Sequence, residues 1–220
     1  MPLFCYQKFS YNKLMLLIDE LIQQGYLKTP LIIEAFRKIN RADFLPREME
    51  DEAELNIPLP IGFGQTISQP LTVAFMLELL SPQPGDKILD IGSGSGWTTA
   101  LLSYIASQKE EGKVYAIERI PELVEFGREN VAKYNFIKSG VAEIFYGDGS
   151  KGLKEKAPFD KIQAAAAAER IPPAWKEQLK VGGRIVSPVG GSIWLLIKKN
   201  EKKFEEYEYP GFAFVPLISD

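Results

Sequence analysis

The sequence predicts an α/β fold in which a central, mostly parallel sheet carries helices on both faces, with extra helices before it and antiparallel strands after it. Three observations predict this. Short apolar runs alternate with helical stretches from Lys87 to Leu179, a glycine-rich turn directly follows the first of those runs, and two strand-like segments, IWLLIKK and KFEEYEY, close the chain. A length of 220 residues, 45% of them hydrophobic and 25% charged, suits one domain with an ample core.

Residues 12 to 24 place Leu14, Leu17, Ile18, Leu21 and Ile22 at helical spacing, and Gly25 ends the helix. A second helix runs from Pro30 to Ile39, with Ala35, Phe36 and Ile39 inward. Acids crowd Glu48 to Glu54, which reads as a solvated face or a mobile flap before the proline-bounded NIPLPIG. LTVAFMLELL is a helix entered through Gln69-Pro70, and Lys87 to Ile91 (KILDI) is a buried strand. The strand VYAIE, the helix PELVEFGRENVAKYN, the strand AEIFY and the strand FDKIQAAAAA follow. A helix through PPAWKEQL, a turn at Gly182-Gly183 and the strands RIVSPV and IWLLIKK complete the alternation, with KKNEKK as a solvated hairpin.

Composition removes several chemistries. The chain has no histidine, so a Ser-His-Asp triad, a histidine base and a histidine metal ligand are excluded, and the one cysteine, Cys5, cannot build a zinc site or an internal disulfide. A net charge of -3 with no long Lys/Arg cluster speaks against a nucleic-acid surface. No charged-then-apolar leader is present and no apolar run nears the ~18 residues of a membrane span, so a cytoplasmic location with no membrane partner is expected.

The glycine turn identifies a ligand class. Gly92, Gly94 and Gly96 alternate with Ser93 and Ser95 between a strand and a helix, where backbone can approach a ligand because no Cβ obstructs it. Counting from Gly92, the third small position of a dinucleotide fingerprint falls on Trp97, which disfavours NAD, and no phosphate-cradling G-x-x-x-x-G-K-[ST] occurs. What remains is Asp90 before the turn and Glu118 at the end of the next strand, a pattern suited to a ligand with an ammonium group and a ribose diol. S-adenosylmethionine has both. Asp148 in YGDGS adds an acid at a third strand end, though D-G also marks a turn, and Glu118 could simply favour the helix start beside it.

GQTISQP places Ser68 just before Gln69-Pro70. The serine can be a helix N-cap, and a helix N-terminus with a hydroxyl is equally a receptor for a substrate carboxylate. An ionised carboxylate attacking a sulfonium methyl needs no base, since a carboxyl with a pKa near ~4 is already charged at neutral pH.

Taken together, RADFLP at 41–46, PLPIGFGQTISQP at 58–70, LDIGSGSG at 89–96, GDG at 147–149, APFDKI at 157–162, QLKVGGRIVSPVG at 178–190 and AFVPL at 213–217 resemble the protein-L-isoaspartate (D-aspartate) O-methyltransferases. The resemblance covers nearly the whole chain, and GQTISQP and the terminal FVPL are its most specific parts. It implies a Rossmann-like S-adenosylmethionine-dependent methyltransferase fold and methylation of the α-carboxylate of isoaspartyl residues in damaged proteins. The ester then closes to a succinimide that can reopen to aspartate. A single domain over 1–220 is expected, with substrate-side elements in 1–80, a cofactor-binding core in 81–190 and C-terminal strands in 191–220; a monomer is expected too.

By the same resemblance Ser68 is the active-site serine, orienting the substrate carboxylate, with Gln65, Thr66 and Ile67 lining its pocket. Asp90 with Gly92, Ser93, Gly94, Ser95 and Gly96 would hold the methionine moiety, Glu118 the ribose hydroxyls, and Asp148 with Gly149 the adenine edge, with Arg119 also among the cofactor-binding residues. The chain departs from the family at Gln163, at five alanines from Ala164 to Ala168, and at Glu169 where proline is usual. Asn56 stands where aspartate is common and Glu54 where an aromatic is. The alanine run makes possible a related methyltransferase with another small-molecule or protein acceptor; a non-catalytic homologue that keeps the cofactor fold is a further alternative, against which the intact cofactor loop argues.

Overall fold

Strands buried on both faces read as unbroken apolar runs, and the core of the sheet is built from such runs. In the computed structural model, which describes residues 17–219, the first is β3 (Lys87–Ile91), followed by β4 (Lys113–Glu118), β5 (Ala142–Tyr146) and β6 (Phe159–Ala164). These four pair in parallel in the order β5-β4-β3-β6. β7 (Leu179–Val189) continues in parallel, and β8 (Ser192–Lys198) and β9 (Phe204–Pro210) add antiparallel. The order reverses between β3 and β6, which is where an open α/β sheet presents a crevice at its carboxyl edge.

The period-2 alternation of side chains divides the core in two. Ile88, Val114, Ala116, Ala142 and Ile144 face the larger cluster, packed by the helical residues 17–23, α1 (Pro30–Lys38), α2 (Pro70–Leu80), α3 (Trp97–Ala106) and α4 (Pro121–Ala132). Leu89, Ile91, Tyr115, Ile117 and Ile162 face the smaller one, covered by the short α5 (Pro173–Gln178) and 3-10 turns at Gly149–Lys151 and Lys154–Lys156. On this face Trp175 offsets its helix's brevity: it is fully buried, and its Nε1 donates to the Gly149 carbonyl at 2.8 Å. Outside the main sheet, β1 (Leu59–Gly62) and β2 (Gln65–Ile67) form an antiparallel hairpin.

Several boundaries differ from the sequence reading, each for a physical reason. The helix expected over 12–24 is not one of these: its described part, 17–23, is helical as expected, and Leu14, like Cys5, lies outside the described residues. Gly182-Gly183 is no turn between helix and strand: β7 starts at Leu179 and runs through both glycines. Phe159 pairs with Leu179 and Lys161 with Arg184, so the extra residues are taken up by a bulge. A Cβ at Gly183 would lie 2.8 Å from the Asp160 carbonyl, which is why glycine stands there. The strand expected through Ala168 stops at Ala164, because Ala167 and Ala168 leave the ladder to bridge Pro216 and Val189. Helix α4 ends at Ala132 rather than Asn135, whose φ of 65° is incompatible with continuing it.

Candidate functional site

Two cavities adjoin at the crevice between β3 and β6. The first is walled by Gly92 and Gly94 after β3, Glu118, Arg119 and Ile120 at the end of β4, Gly147 and Gly149 after β5, and Ala165 and Ala166 after β6. Ile61, Gln65 and Thr66 of the hairpin and Val215 to Ile218 of the C-terminal segment close it. The second is walled by Pro58, Thr66, Ser68, Gln69 and Thr72, by Ala165, and by Gly211 to Val215. Thr66, Ala165 and Val215 belong to both, so these three side chains form the shared wall.

Glu118 organises the first cavity. Its Oε2 accepts from Gly94 N at 2.9 Å, while Oε1 accepts from Arg119 N at 2.8 Å and Ile120 N at 3.0 Å. Three backbone donors thus fix one carboxylate that is buried yet lines the cavity. The glycine loop sits close under it. Gly92 has a φ of 75° and Gly94 a φ of 52°, and a Cβ on Gly94 would come 3.2 Å from Ile61 Cδ1, so the hairpin packs directly on bare backbone. Helix α4 packs on the other side of the loop through Gly127, where a Cβ would lie 2.9 Å from the Gly94 carbonyl. A loop without side chains beside a fixed carboxylate fits a ribose-bearing ligand, so the residues present suit the cofactor expected for them.

Other residues singled out from the sequence take different places. Asp90 lies behind the loop rather than on the cavity wall: it is fully buried, and its Oδ2 accepts from Thr99 Oγ1 at 2.6 Å. Burial pushes its carboxyl up to about 6, with the Thr99 hydroxyl opposing and the Glu118 charge adding to the rise. Ser93 and Ser95 are buried and off the wall, and Gly96 serves as the N-cap position of α3 with a φ of 89°. Asp148 turns away to accept from Ser150 N at 2.9 Å and to pair with Lys151 at 3.2 Å, leaving Gly147 and Gly149 to form the wall. Arg119 is on the wall, and its Nη1 donates to the Ile218 carbonyl at 2.7 Å, holding the C-terminal segment over the cavity.

In the second cavity Ser68 and Thr66 are present as read, whereas Gln65 lines the first and Ile67 is buried and lines neither. Ser68 is not the N-cap of α2. Gln69 occupies that position, Pro70 is the first helical residue, and the free Leu71 N–H donates to Asn56 Oδ1 at 3.0 Å. A side chain fifteen residues away therefore caps the helix, which frees the Ser68 hydroxyl for the cavity. Among the acids of Glu48 to Glu54, Glu48, Glu50 and Asp51 are exposed on a 3-10 turn over Arg47–Glu52, as a solvated face should be.

The sequence reading left Asn56, Arg41 and the wall-forming role of Val215 to Ile218 without functions. FVPL stood out as a motif, but only the pairing of Ala167 N with the Val215 carbonyl at 2.8 Å, and of Leu217 N with the Ala167 carbonyl at 2.7 Å, shows why it closes the site. The same bonds explain what the alanine run does: it carries the C-terminal segment, and Ala165 and Ala166 line the first cavity.

A sequence profile described as Protein-L-isoaspartate(D-aspartate) O-methyltransferase (PCMT) matches residues 12–220. The protein-L-isoaspartate O-methyltransferase of Methanopyrus kandleri is 40% identical over 208 residues, covering 93% of this chain and 90% of the relative. The one from Aeropyrum pernix is 43% identical over 208 residues, covering 93% of this chain and 78% of the relative. Among solved structures, a Plasmodium falciparum protein described as a protein-L-isoaspartate O-methyltransferase in complex with S-adenosyl-L-homocysteine superposes with a TM-score of 0.83. It is 22% identical, and the match covers 93% of this chain and 97% of that one, which bears out the fold expected from the sequence.

Proposed function

The chain belongs to the protein-L-isoaspartate(D-aspartate) O-methyltransferase family, and from that premise we propose how its two cavities divide the work of methylating isoaspartyl residues in damaged proteins. The observation that carries the reading is the shared wall of Thr66, Ala165 and Val215, which sets a donor cavity directly against an acceptor cavity. S-adenosylmethionine is the cofactor and supplies an electrophilic methyl group on its sulfonium.

Glu118, held by three backbone N–H groups, would offer its remaining lone pairs to the ribose hydroxyls, and Gly92 and Gly94 would let the cofactor lie against backbone. Gly147 and Gly149 form the opposite edge, and Arg119 draws the C-terminal segment across the opening. On the acceptor side Ser68 and Thr66 orient the substrate carboxylate by hydrogen bonding. Ser68 is no nucleophile, since a chain without histidine offers it no imidazole base. A carboxylate held there would take up the methyl group, its oxygen forming the new C–O bond as the donor's S–C bond breaks, leaving the methyl ester and S-adenosylhomocysteine. Opposite charges neutralise along this path, so the protein accelerates it by alignment and by excluding water.

The test is S-adenosylhomocysteine formation from a synthetic isoaspartyl peptide, beside the same peptide with normal aspartate and beside the Ser68→Ala enzyme. Product from the isoaspartyl peptide alone, strongly reduced in the variant, is expected. Retained cofactor binding with no product from the isoaspartyl peptide would overturn the assignment and turn the search to other acceptors, as the alanine run on the shared wall would then require.

A further inference from the structure

Arg41 is a charged side chain only 3% exposed, and the reaction as described makes no use of it. Its guanidinium spans four backbone carbonyls. Nη1 donates to Ala53 at 2.9 Å and Leu55 at 3.0 Å, and Nη2 donates to Ile57 at 2.8 Å and Ser68 at 3.2 Å. Its Cζ also lies 5.4 Å from the centroid of the Trp97 ring, and Trp97 is the first residue of α3, directly after Gly96 of the glycine loop.

Those contacts are unequal in what they touch. Ala53 and Leu55 belong to an irregular stretch whose carbonyls would otherwise lack strand or helix partners. Ile57 directly precedes Pro58 and Ser68 is itself on the wall, so both acceptors of Nη2 border the acceptor cavity. One rigid fork thus grips both flanks of that cavity while its face rests on the residue that follows the cofactor loop.

We propose that Arg41 is a positioning residue that fixes the Ser68 backbone relative to the glycine loop, so that acceptor and donor hold one alignment. The proposal rests on the methyltransferase reading given above. Burial lowers the Arg41 guanidinium to about 10, with the Glu54 charge opposing, so the fork keeps its proton and its full set of donors at neutral pH. Lysine in its place would keep the charge but not a planar fork able to reach four carbonyls.

A double-mutant cycle in kcat/KM toward the isoaspartyl peptide tests it, using wild type, Arg41→Lys, Ser68→Ala and the double variant. Arg41→Lys is expected to lose about 30-fold with the S-adenosylhomocysteine Kd changed less than about twofold, and to lose under about threefold once Ser68 is alanine. Equal losses in both backgrounds, or a Kd that moves in step with activity, overturn it, because a purely structural role would be additive.

Should Arg41→Lys fail to fold, the guanidinium resonances of the 15N-labelled wild type answer instead. Arg41 Nη protons protected from exchange and shifted by isoaspartyl but not aspartyl peptide support the role; freely exchanging Nη protons refute it. A wild type that is inactive on the isoaspartyl peptide yet shows protected Nη protons refutes the assigned acceptor while leaving the grip on Ser68 supported.

Discussion

The donor cavity is built from the ends of adjacent strands, whereas the acceptor cavity is assembled from segments remote in sequence. β3, β4 and β6 deliver Gly92, Glu118 and Ala165 to neighbouring points of one sheet edge, and the parallel ladder sets their spacing. Pro58, Ser68, Thr72, Ala165 and Phe212 are tied together by Arg41, by Asn56, by the bonds between Ala167 and the C-terminal segment, and by those from Gly211 N and Phe212 N to the Gly191 carbonyl. The donor side buries carboxylates, in Glu118 and Asp90, while the acceptor side buries a cation, Arg41, behind a wall whose described residues carry no charged side chain. The two regions offset that electrostatic cost differently: three backbone N–H groups converge on Glu118 at the sheet edge, whereas four loop carbonyls converge on Arg41.

If that contrast holds, disturbing the donor side should cost most. Glu118→Ala leaves three backbone donors without their acceptor and should weaken S-adenosylhomocysteine binding by about 4 kcal/mol, read by calorimetry. Glu118→Gln should recover part of it, and equal losses in the two variants would show that the charge, not the bonding, matters.

Asp90 gives the next largest effect, in stability rather than binding. Burial raises its folded carboxyl from an ordinary 3.8 to about 6, so the folded state holds the proton more tightly and stability falls as pH rises from about 4 to about 6, by about 3 kcal/mol. Urea midpoints at both ends of that window should differ in wild type, and the difference should shrink in Asp90→Asn. An unchanged slope in the variant would place the titration elsewhere.

On the acceptor side, Ser68→Ala should lower kcat/KM by about 2 kcal/mol with cofactor affinity unmoved, the signature of a cavity whose bonding is independent of its neighbour. Asn56→Ala removes the cap on Leu71 N and should cost about 1 kcal/mol of stability in chemical denaturation. Asn56→Asp should be neutral or slightly stabilising, since a carboxylate at that helix N-terminus keeps the bond and gains from the dipole.

The same contrast explains what could be read from the sequence. β3, the glycine turn and Glu118 are local signals, each fixed by period, glycine and a strand end, and the structure puts all three at the crevice. Asp90 shows the limit of such reading: spacing finds an acid beside the loop, but only the pleat decides that it points away from the cavity toward Thr99. Ser68 as an N-cap was a sound local inference that lost to Asn56, a partner no window around Ser68 contains. Arg41 carried no periodic signal at all, since its role arises from carbonyls twelve to twenty-seven residues downstream.

The shared wall has a consequence for how such an enzyme can change. Because Thr66, Ala165 and Val215 each face both cavities, a bulkier side chain at any of them subtracts room from two ligands at once. Selection cannot retune acceptor preference there without also altering the hold on the donor, so variation in acceptor choice should accumulate instead at Pro58, Gln69 and Phe212, which face the acceptor alone.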